Sequence, residues 1–175
     1  MIVVLNGPLG IGKSTLAEVL SESLDRCVML DGDSLVAANP PPSDEVEHLH
    51  STVELLVRHH RGFGYRHFVL NHLWTTPQAL ADLRRRLATI DPEIFCFLLT
   101  LRVDENLRRI ERRASAREID ERDFELRTVV EERAILLADD ESELGEPFDV
   151  SASPGELVER LLTRLEQLRT SSQNA

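Results

Sequence analysis

A single lysine lies in a glycine-rich stretch close to the start of the chain. Residues 6–15 read NGPLGIGKST, and Lys13 is one of 20 basic residues, all the others being arginine. With Gly7, Gly12 and Ser14 it completes the spacing G-x-x-x-x-G-K-[ST], between an apolar run and a helical pattern. Glycines let backbone N–H groups approach phosphate oxygens, lysine supplies a flexible cation, and a serine hydroxyl can bind Mg²⁺. The pattern predicts a loop that binds the phosphates of a nucleotide. Its predicted contact residues are Gly7, Pro8, Leu9, Gly10, Ile11, Gly12, Lys13, Ser14 and Thr15.

Two aspartates follow the next apolar run, in the stretch VMLDGDSLV. Asp31 and Asp33 stand two residues apart, so in extended chain their carboxylates point the same way. One carboxylate can then orient Mg²⁺ through its waters while the other accepts the proton of an attacking hydroxyl. An Asp–Gly turn with solvated carboxylates is the plain alternative.

A third candidate is the arginine-rich stretch LRRIERRASARE, residues 107–118. On a helix, Arg109, Arg112 and Arg113 share one face, which could stack on a base and balance the charge that spreads during phosphoryl transfer. The alternative is a solvated helix with acidic partners three or four residues away. These partners would be Glu105, Glu111 and Glu118.

These residues need a scaffold, and strand and helix patterns alternate along the chain. The predicted strands cover 2–6, 27–31, 67–73, 93–101 and 146–151. The predicted helices cover 13–24, 43–60, 76–90, 104–118, 121–138 and 153–169. Five short apolar strands separated by helices predict a parallel sheet that is covered on both faces. The carboxyl ends of such strands form the edge where α/β sheets bind ligands.

The phosphate loop, the DGD stretch and the arginine-rich stretch together resemble the P-loop small-molecule kinases. That group includes the shikimate, gluconate and adenylylsulfate kinases and chloramphenicol phosphotransferase. The resemblance implies a three-layer α/β/α fold of the nucleoside-monophosphate-kinase type, with five parallel strands in the order 2-3-1-4-5. It also implies one domain over residues 1–170, with an acceptor-binding insert at about 34–66 and a lid at about 108–122. We expect residues 171–175 to fray.

The resemblance also implies roles for single residues. Asp33 maps onto the probable base, and Asp31 onto the carboxylate that supports Mg²⁺ together with Ser14. Arg109 maps onto the position that stacks on the base. Arg113 and Arg117 map loosely onto catalytic lid positions.

The acceptor is expected in the region between the second strand and the residues just past the third, where the resembling kinases build that pocket. His72 and Trp74 could line it, although Trp74 could equally be a core anchor. Arg58, Arg61 or Arg66 could meet an anionic substituent. The third strand ends in Asn71 and His72, where many P-loop enzymes carry an acidic residue.

Six histidines crowd residues 48–72. A metal site is one interpretation, but their spacing favours partly exposed helix residues.

The composition of the chain limits the classes of binding partner that we expect. The chain has 175 residues and a net charge of −11, which disfavours binding of long nucleic acids. It contains no apolar run long enough to cross a membrane and no signal-peptide pattern, so we expect a cytoplasmic protein, monomeric or homodimeric. Cys27 and Cys96 lie in apolar runs and are expected to be buried thiols.

The predicted function is transfer of the γ-phosphate of ATP, with Mg²⁺, to a hydroxyl of a small molecule, a metabolite or an antibiotic. ATP is favoured over GTP because no N-K-x-D pattern occurs. The alternatives are a kinase that phosphorylates nucleotides and a nucleotide-binding switch without transfer chemistry.

Overall fold

The structure is a computed structural model that describes residues 1–114, 119–138 and 141–173. A five-stranded parallel sheet forms the centre of the molecule. The strands are β1 (Ile2–Asn6), β2 (Cys27–Asp31), β3 (His67–His72), β4 (Ile94–Thr100) and β5 (Glu146–Asp149). Their order is β2-β3-β1-β4-β5, and all four neighbouring pairs are parallel. The predicted order 2-3-1-4-5 is therefore confirmed.

Helices connect these strands and cover the sheet. They are α1 (Lys13–Ser23), α2 (Gly32–Val36), α3 (Glu45–Gly62), α4 (Pro77–Leu87), α5 (Val103–Ala114), α6 (Ile119–Ala138) and α7 (Pro154–Gln173). A 3-10 turn at Glu141–Leu144 precedes β5. None of the helices in the described ranges is long and apolar enough to cross a membrane.

Two hydrophobic cores lie on opposite faces of the sheet, and β1 contributes to both. Val3 and Leu5 point to the face covered by α1 and α7, whereas Ile2 and Val4 point to the face covered by α3 and α4. All five residues of β1 are buried, because a central parallel strand is covered on both sides. This arrangement is the predicted three-layer α/β/α architecture.

Helix ends follow the local sequence. Asp44 caps α3 by accepting the Glu47 amide at 2.9 Å, and Thr76 caps α4 directly before Pro77. The last helix continues to Gln173, and the fraying of residues 171–175 stays a prediction. The hydroxyls of Thr170 and Ser171 bond carbonyls one turn earlier, at 2.9 Å each, which is compatible with a continuing helix.

The predicted extended geometry of the DGD stretch is wrong. The strand β2 ends at Asp31, and Gly32 begins the short helix α2, in whose first turn Asp33 lies. Asp31 Oδ1 accepts the amide of Ser34 at 3.0 Å and so caps this helix. Asp31 and Asp33 therefore face different partners.

Candidate active site

The phosphate loop connects β1 to α1 through three glycines in left-handed backbone. Gly7, Gly10 and Gly12 have φ angles of 152°, 71° and 109°. Gly10 also lies against α5, since a Cβ there would be 2.5 Å from Cγ1 of Ile110. The glycine at position 10 is therefore required both by its φ angle and by this contact.

Lys13 folds back over the loop. Its Nζ donates to the carbonyl oxygens of Gly7 at 2.6 Å and Pro8 at 3.1 Å. Burial lowers the pKa of Lys13 below its usual 10.5, and the charges of Asp33, Glu132 and Asp31 oppose this shift in part. A partly buried cation is thus held at the loop.

The loop also offers amides to anions. No side chain caps the α1 amino end, where Gly12 stands, among the described residues, so the positive end of that helix dipole faces the loop. The Leu9 amide donates to Oε2 of Glu132, on α6, at 2.6 Å. A carboxylate oxygen therefore already binds one loop amide, which indicates that the loop suits the oxygens of a phosphate.

Asn6 holds the start of the loop in place. This residue is fully buried at the carboxyl end of β1, and its Oδ1 accepts the amides of Gly7 at 2.8 Å and Trp74 at 2.9 Å. Its Nδ2 donates to the carbonyls of Trp74 at 3.0 Å and Leu144 at 3.2 Å. All four bonds of the amide are made, so Asn6 ties the loop to the segment after β3. Asn6 was not predicted from the sequence, although a polar residue that ends an otherwise apolar strand is a signal.

The helix α5 supports the other side of the loop through residues three and four apart. Asn106 Nδ2 donates to the carbonyl of Leu9 at 3.2 Å. Arg109 donates to the carbonyls of Ile11 at 3.2 Å and Val150 at 2.8 Å. Asn106 was not predicted; its spacing of three residues from Arg109 places both on one helix face.

A cleft of about 150 Å³ opens beside Arg109. Its walls come from the loop, the start of α1 and the segment after β5. The lining includes Ile11, Gly12, Thr15, Val150, Ala152 and Pro154. The predicted phosphate loop and the stretch from Val150 to Pro154 therefore line one cleft.

The other arginines of this stretch behave differently. Arg112 is exposed and its Nη2 bonds Oε1 of Glu105 at 3.0 Å, while Arg108 lies within 4 Å of the carboxylates of Asp104 and Glu105. Arg108 therefore has acidic partners three and four residues away, as the solvated-helix alternative describes, whereas the partner of the exposed Arg112 is seven residues away. The side chain of Arg113 and the whole of Arg117 lie outside the described residues.

Three oxygen-bearing side chains meet where β2 and β3 end beside α1. Ser14 Oγ lies 3.4 Å from Asp31 Oδ2, and Asn71 Nδ2 donates to both atoms, at 3.3 and 2.9 Å. The Oδ1 of Asn71 is buried without a hydrogen-bond partner in the described part of the chain. Hydroxyl and carboxylate oxygens are ligands that Mg²⁺ prefers, so Ser14 and Asp31 fit that ion, whereas Asn71 presents its amide nitrogen to them.

Asp33 pairs with a histidine instead. Its Oδ1 lies 2.7 Å from Nδ1 of His72, the last residue of β3. The hydrogen bond from His72 lowers the pKa of Asp33, burial opposes it, and the charges of His72 and Lys13 lower the pKa further. Asp33 is therefore an ionised carboxylate near neutral pH, as a proton acceptor must be.

A second cleft, of about 170 Å³, lies between α3 and the segment after β3. His72 and Trp74 both line it, together with Leu49, Thr75 and Thr76. Trp74 is only 2% exposed, so it is a core residue that also forms part of a cleft wall.

The arginines predicted for this cleft lie elsewhere. Arg58 bonds Glu54 at 2.9 Å and Thr89, which follows α4, at 2.7 Å, and Arg61 pairs with Asp91. Thr89 and Asp91 lie between α4 and the amino end of β4, whereas His72 ends β3 at the carboxyl edge of the sheet. Arg58 was wrongly grouped with His72 and Trp74, because a helix of 18 residues carries its two ends to opposite edges of the sheet.

The same architecture occurs in solved structures. The chain is similar to a gluconokinase from Sinorhizobium meliloti 1021, with a TM-score of 0.70 and 18% identity over 98% of this chain and 94% of that one. A tunicamycin resistance protein from Deinococcus radiodurans has a TM-score of 0.65 and 18% identity, with 94% of each chain covered. A shikimate kinase from Bacteroides thetaiotaomicron has a TM-score of 0.61 and 15% identity, over 95% of this chain and 98% of that one.

The chain has the fold of P-loop small-molecule kinases. The resemblance seen in the sequence is confirmed at the level of the fold. No protein-family model matches the chain, and no curated protein matches it.

Proposed function

We propose that this protein transfers the γ-phosphate of ATP to a hydroxyl group of a small molecule. One observation carries the proposal: Lys13 follows the carboxyl end of β1 and Asp33 follows the carboxyl end of β2, so both lie at the same edge of the parallel sheet. The charge of each also shifts the other's pKa. Phosphoryl transfer needs such a pair, because the cation stabilises the transferred group and the carboxylate accepts the proton of the attacking hydroxyl.

The nucleotide would lie across the loop and the cleft beside Arg109. Lys13 and the amides of residues 7–15 would hold the triphosphate, as the bond between Leu9 and Glu132 suggests for an anionic oxygen. The base would enter the 150 Å³ cleft, with Arg109 against its ring and Val150 to Pro154 at its edge. Arg113 and Arg117 are proposed as further cations over the phosphates.

Mg²⁺ would be held by Ser14 and Asp31, and the ion would neutralise charge on the phosphate oxygens. Asn71 is a third candidate. At present Nδ2 of Asn71 donates to Ser14 and Asp31. If the amide is turned through 180°, Oδ1 takes the place of Nδ2 and can serve as a ligand of the ion. The chain's own part is to hold these oxygens at the ends of β2 and β3.

The acceptor would lie at Asp33, with His72 and Trp74 on the wall of its pocket. As the acceptor oxygen attacks the γ-phosphorus, its proton passes to Asp33 and the bond to the β-phosphate oxygen breaks, releasing ADP. A metabolite and an antibiotic both remain candidates, and the gluconokinase and tunicamycin resistance protein suggest hydroxyl compounds to include in a first panel.

The direct test is incubation with Mg²⁺ and γ-labelled ATP, together with a panel of hydroxyl compounds: sugars, sugar acids, hydroxylated antibiotics and nucleoside monophosphates. We expect label on one class of non-nucleotide hydroxyl compound. Transfer only to a nucleotide would replace the proposal by a nucleotide kinase, and slow hydrolysis alone by a nucleotide-dependent switch.

Asp33→Asn tests the proposed base. It keeps the size of the side chain and removes the proton acceptor, so turnover should fall by about 10²- to 10⁴-fold while ATP still binds. Asp25→Asn, at an exposed carboxylate just before β2, is the matched control and should retain full turnover. Equal turnover of Asp33→Asn and the unaltered protein would remove Asp33 from the mechanism.

A further inference from the structure

We propose that His72 is a positioning residue that holds the Asp33 carboxylate in the orientation needed to accept the acceptor's proton. The inference rests on the proposed function and gives His72, which also lines the proposed acceptor pocket, a role that it exerts through Asp33.

The contact itself defines the direction of the hydrogen bond. An ionised carboxylate can only accept, so Nδ1 of His72 carries the proton and donates it to Oδ1 of Asp33, 2.7 Å away. The side chain of Asp33 is 68% exposed. Without a partner, an exposed carboxylate in the first turn of a five-residue helix would turn between rotamers. With Oδ1 bound, Oδ2 is left for the acceptor.

His72 is itself held from two sides. A Cβ at Gly32 would lie 2.6 Å from Cβ and 2.8 Å from Nδ1 of His72, so the backbone of α2 packs directly on the imidazole. On another side the indole of Trp74 meets the ring nearly at right angles, with centroids 5.2 Å apart. The imidazole therefore has little room to turn away from Asp33.

A buried histidine keeps Trp74 in position in turn. Trp74 Nε1 donates to Nε2 of His50 at 3.1 Å, and Nδ1 of His50 lies 2.9 Å from Oδ2 of Asp82. An indole N–H can only donate, so Nε2 of His50 is the acceptor and its proton is on Nδ1, facing the carboxylate. His50 is 0% exposed. The support behind His72 thus runs through fixed hydrogen bonds to α4.

Kinetics of variants test whether His72 acts through Asp33. His72→Ala should lower kcat by about 10- to 100-fold, as expected for a misplaced catalytic group, with little change in the KM for ATP. His72→Asn retains a donor near the Nδ1 position and should recover part of this loss. His59→Ala, at an exposed histidine on α3, is the control and should leave kcat unchanged.

A double-variant cycle separates positioning from a general structural role. In the Asp33→Asn background, His72→Ala should cause almost no further loss, because the group it positions is already inactive. If the two losses multiply, or if His72→Ala leaves kcat unchanged, the inference is wrong.

An activity-independent measurement distinguishes this inference from the proposed function. In ¹⁵N spectra of histidine-labelled protein, His72 should carry a proton on Nδ1, and this signal should change in Asp33→Ala. An unprotonated Nδ1 on His72 would overturn this inference and leave the proposed function standing. Absence of phosphate transfer to every compound in the panel would instead overturn the proposed function.

Discussion

At Lys13, the proposed binding of phosphate conflicts with the stability of the folded chain. Its ammonium group bonds two carbonyls of the loop, yet burial keeps its pKa below the usual 10.5. The unfolded chain therefore binds this proton more strongly than the folded chain does. The resulting penalty is complete below the folded-state pKa and disappears as the pH rises above 10.5. In the proposed function, the cation is kept in place to bind an anion. Its burial lowers the stability of the folded protein when no ligand is bound.

Lys13→Met should therefore stabilise the ligand-free protein at pH 7 while it abolishes tight ATP binding. We expect the melting temperature to rise, because the unfavourable burial of the charge is removed. Thermal unfolding with and without Mg²⁺ and ATP measures both effects. The gain should shrink as the pH approaches 10.5, and Lys13→Arg, which keeps a charge, should not show it. A lower melting temperature for Lys13→Met would contradict this account.

Residue types predicted part of the site. Lys13, Ser14 and Asp33 could be named as candidates because their residue types stand in short local motifs, and their roles stay predictions. Asn6 and the pairing of Asp33 with His72 were not found, since they depend on contacts 138 and 39 residues apart in the chain. Local patterns carry no information on which distant side chain meets a given carboxylate.

At the scale of elements, the turn from β2 into α2 decides where Asp33 points. Asp31 caps the helix, Gly32 begins it, and the close approach of His72 leaves no space for a side chain at Gly32. The turn and the third strand therefore fit each other only with glycine at this position.

Gly32→Ala should displace His72 and lower kcat by a factor similar to that of His72→Ala. The added methyl group would lie 2.6 Å from Cβ of His72, a distance that forces one of the two elements to move. Gly62→Ala is the matched control, because a Cβ at Gly62 meets no atom within 4 Å in the described structure. Steady-state kinetics of both variants, with circular dichroism to verify folding, make the comparison. Full activity of Gly32→Ala would show that the turn tolerates a side chain.

Element positions were predicted well from periodicity, and the exceptions have physical reasons. The predicted helix at 76–90 overlaps Pro77–Leu87, and the predicted strand at 27–31 matches Cys27–Asp31. The helix α2 has five residues, which is too short to show an apolar period, and it depends on the cap from Asp31.

At the scale of the whole molecule, stability comes from two cores separated by the sheet. Phe97 lies at the centre of one of them, fully buried on β4, with the ring of Phe148 5.9 Å away. Phe63, at the end of α3, is 73% exposed and contributes little to either core.

Phe97→Ala should reduce the free energy of unfolding by about 3–5 kcal/mol, through lost burial and the cavity that remains. Phe63→Ala removes the same atoms from the surface and should change it by less than about 0.5 kcal/mol. Urea denaturation followed by circular dichroism gives both values. Similar losses in the two variants would mean that Phe97 is not part of a cooperative core.

The strand order could not be obtained from hydrophobic patterns, since periodicity identifies strands but not their neighbours. It followed from the resemblance, which the parallel pairing of β1 with both β3 and β4 confirms. The cleft walls, by contrast, needed the structure, because each joins segments that are far apart in the chain.

Arg109 has one more consequence. It ties a carbonyl of the phosphate loop to a carbonyl after β5, and the strands that lead into these two segments have β4 between them. In the proposed binding mode, the distance between the phosphate site and the base site would therefore be fixed before a nucleotide binds. A nucleoside monophosphate would then be too short to reach both the phosphate site and the base site. Triphosphate without a base would leave the base site empty.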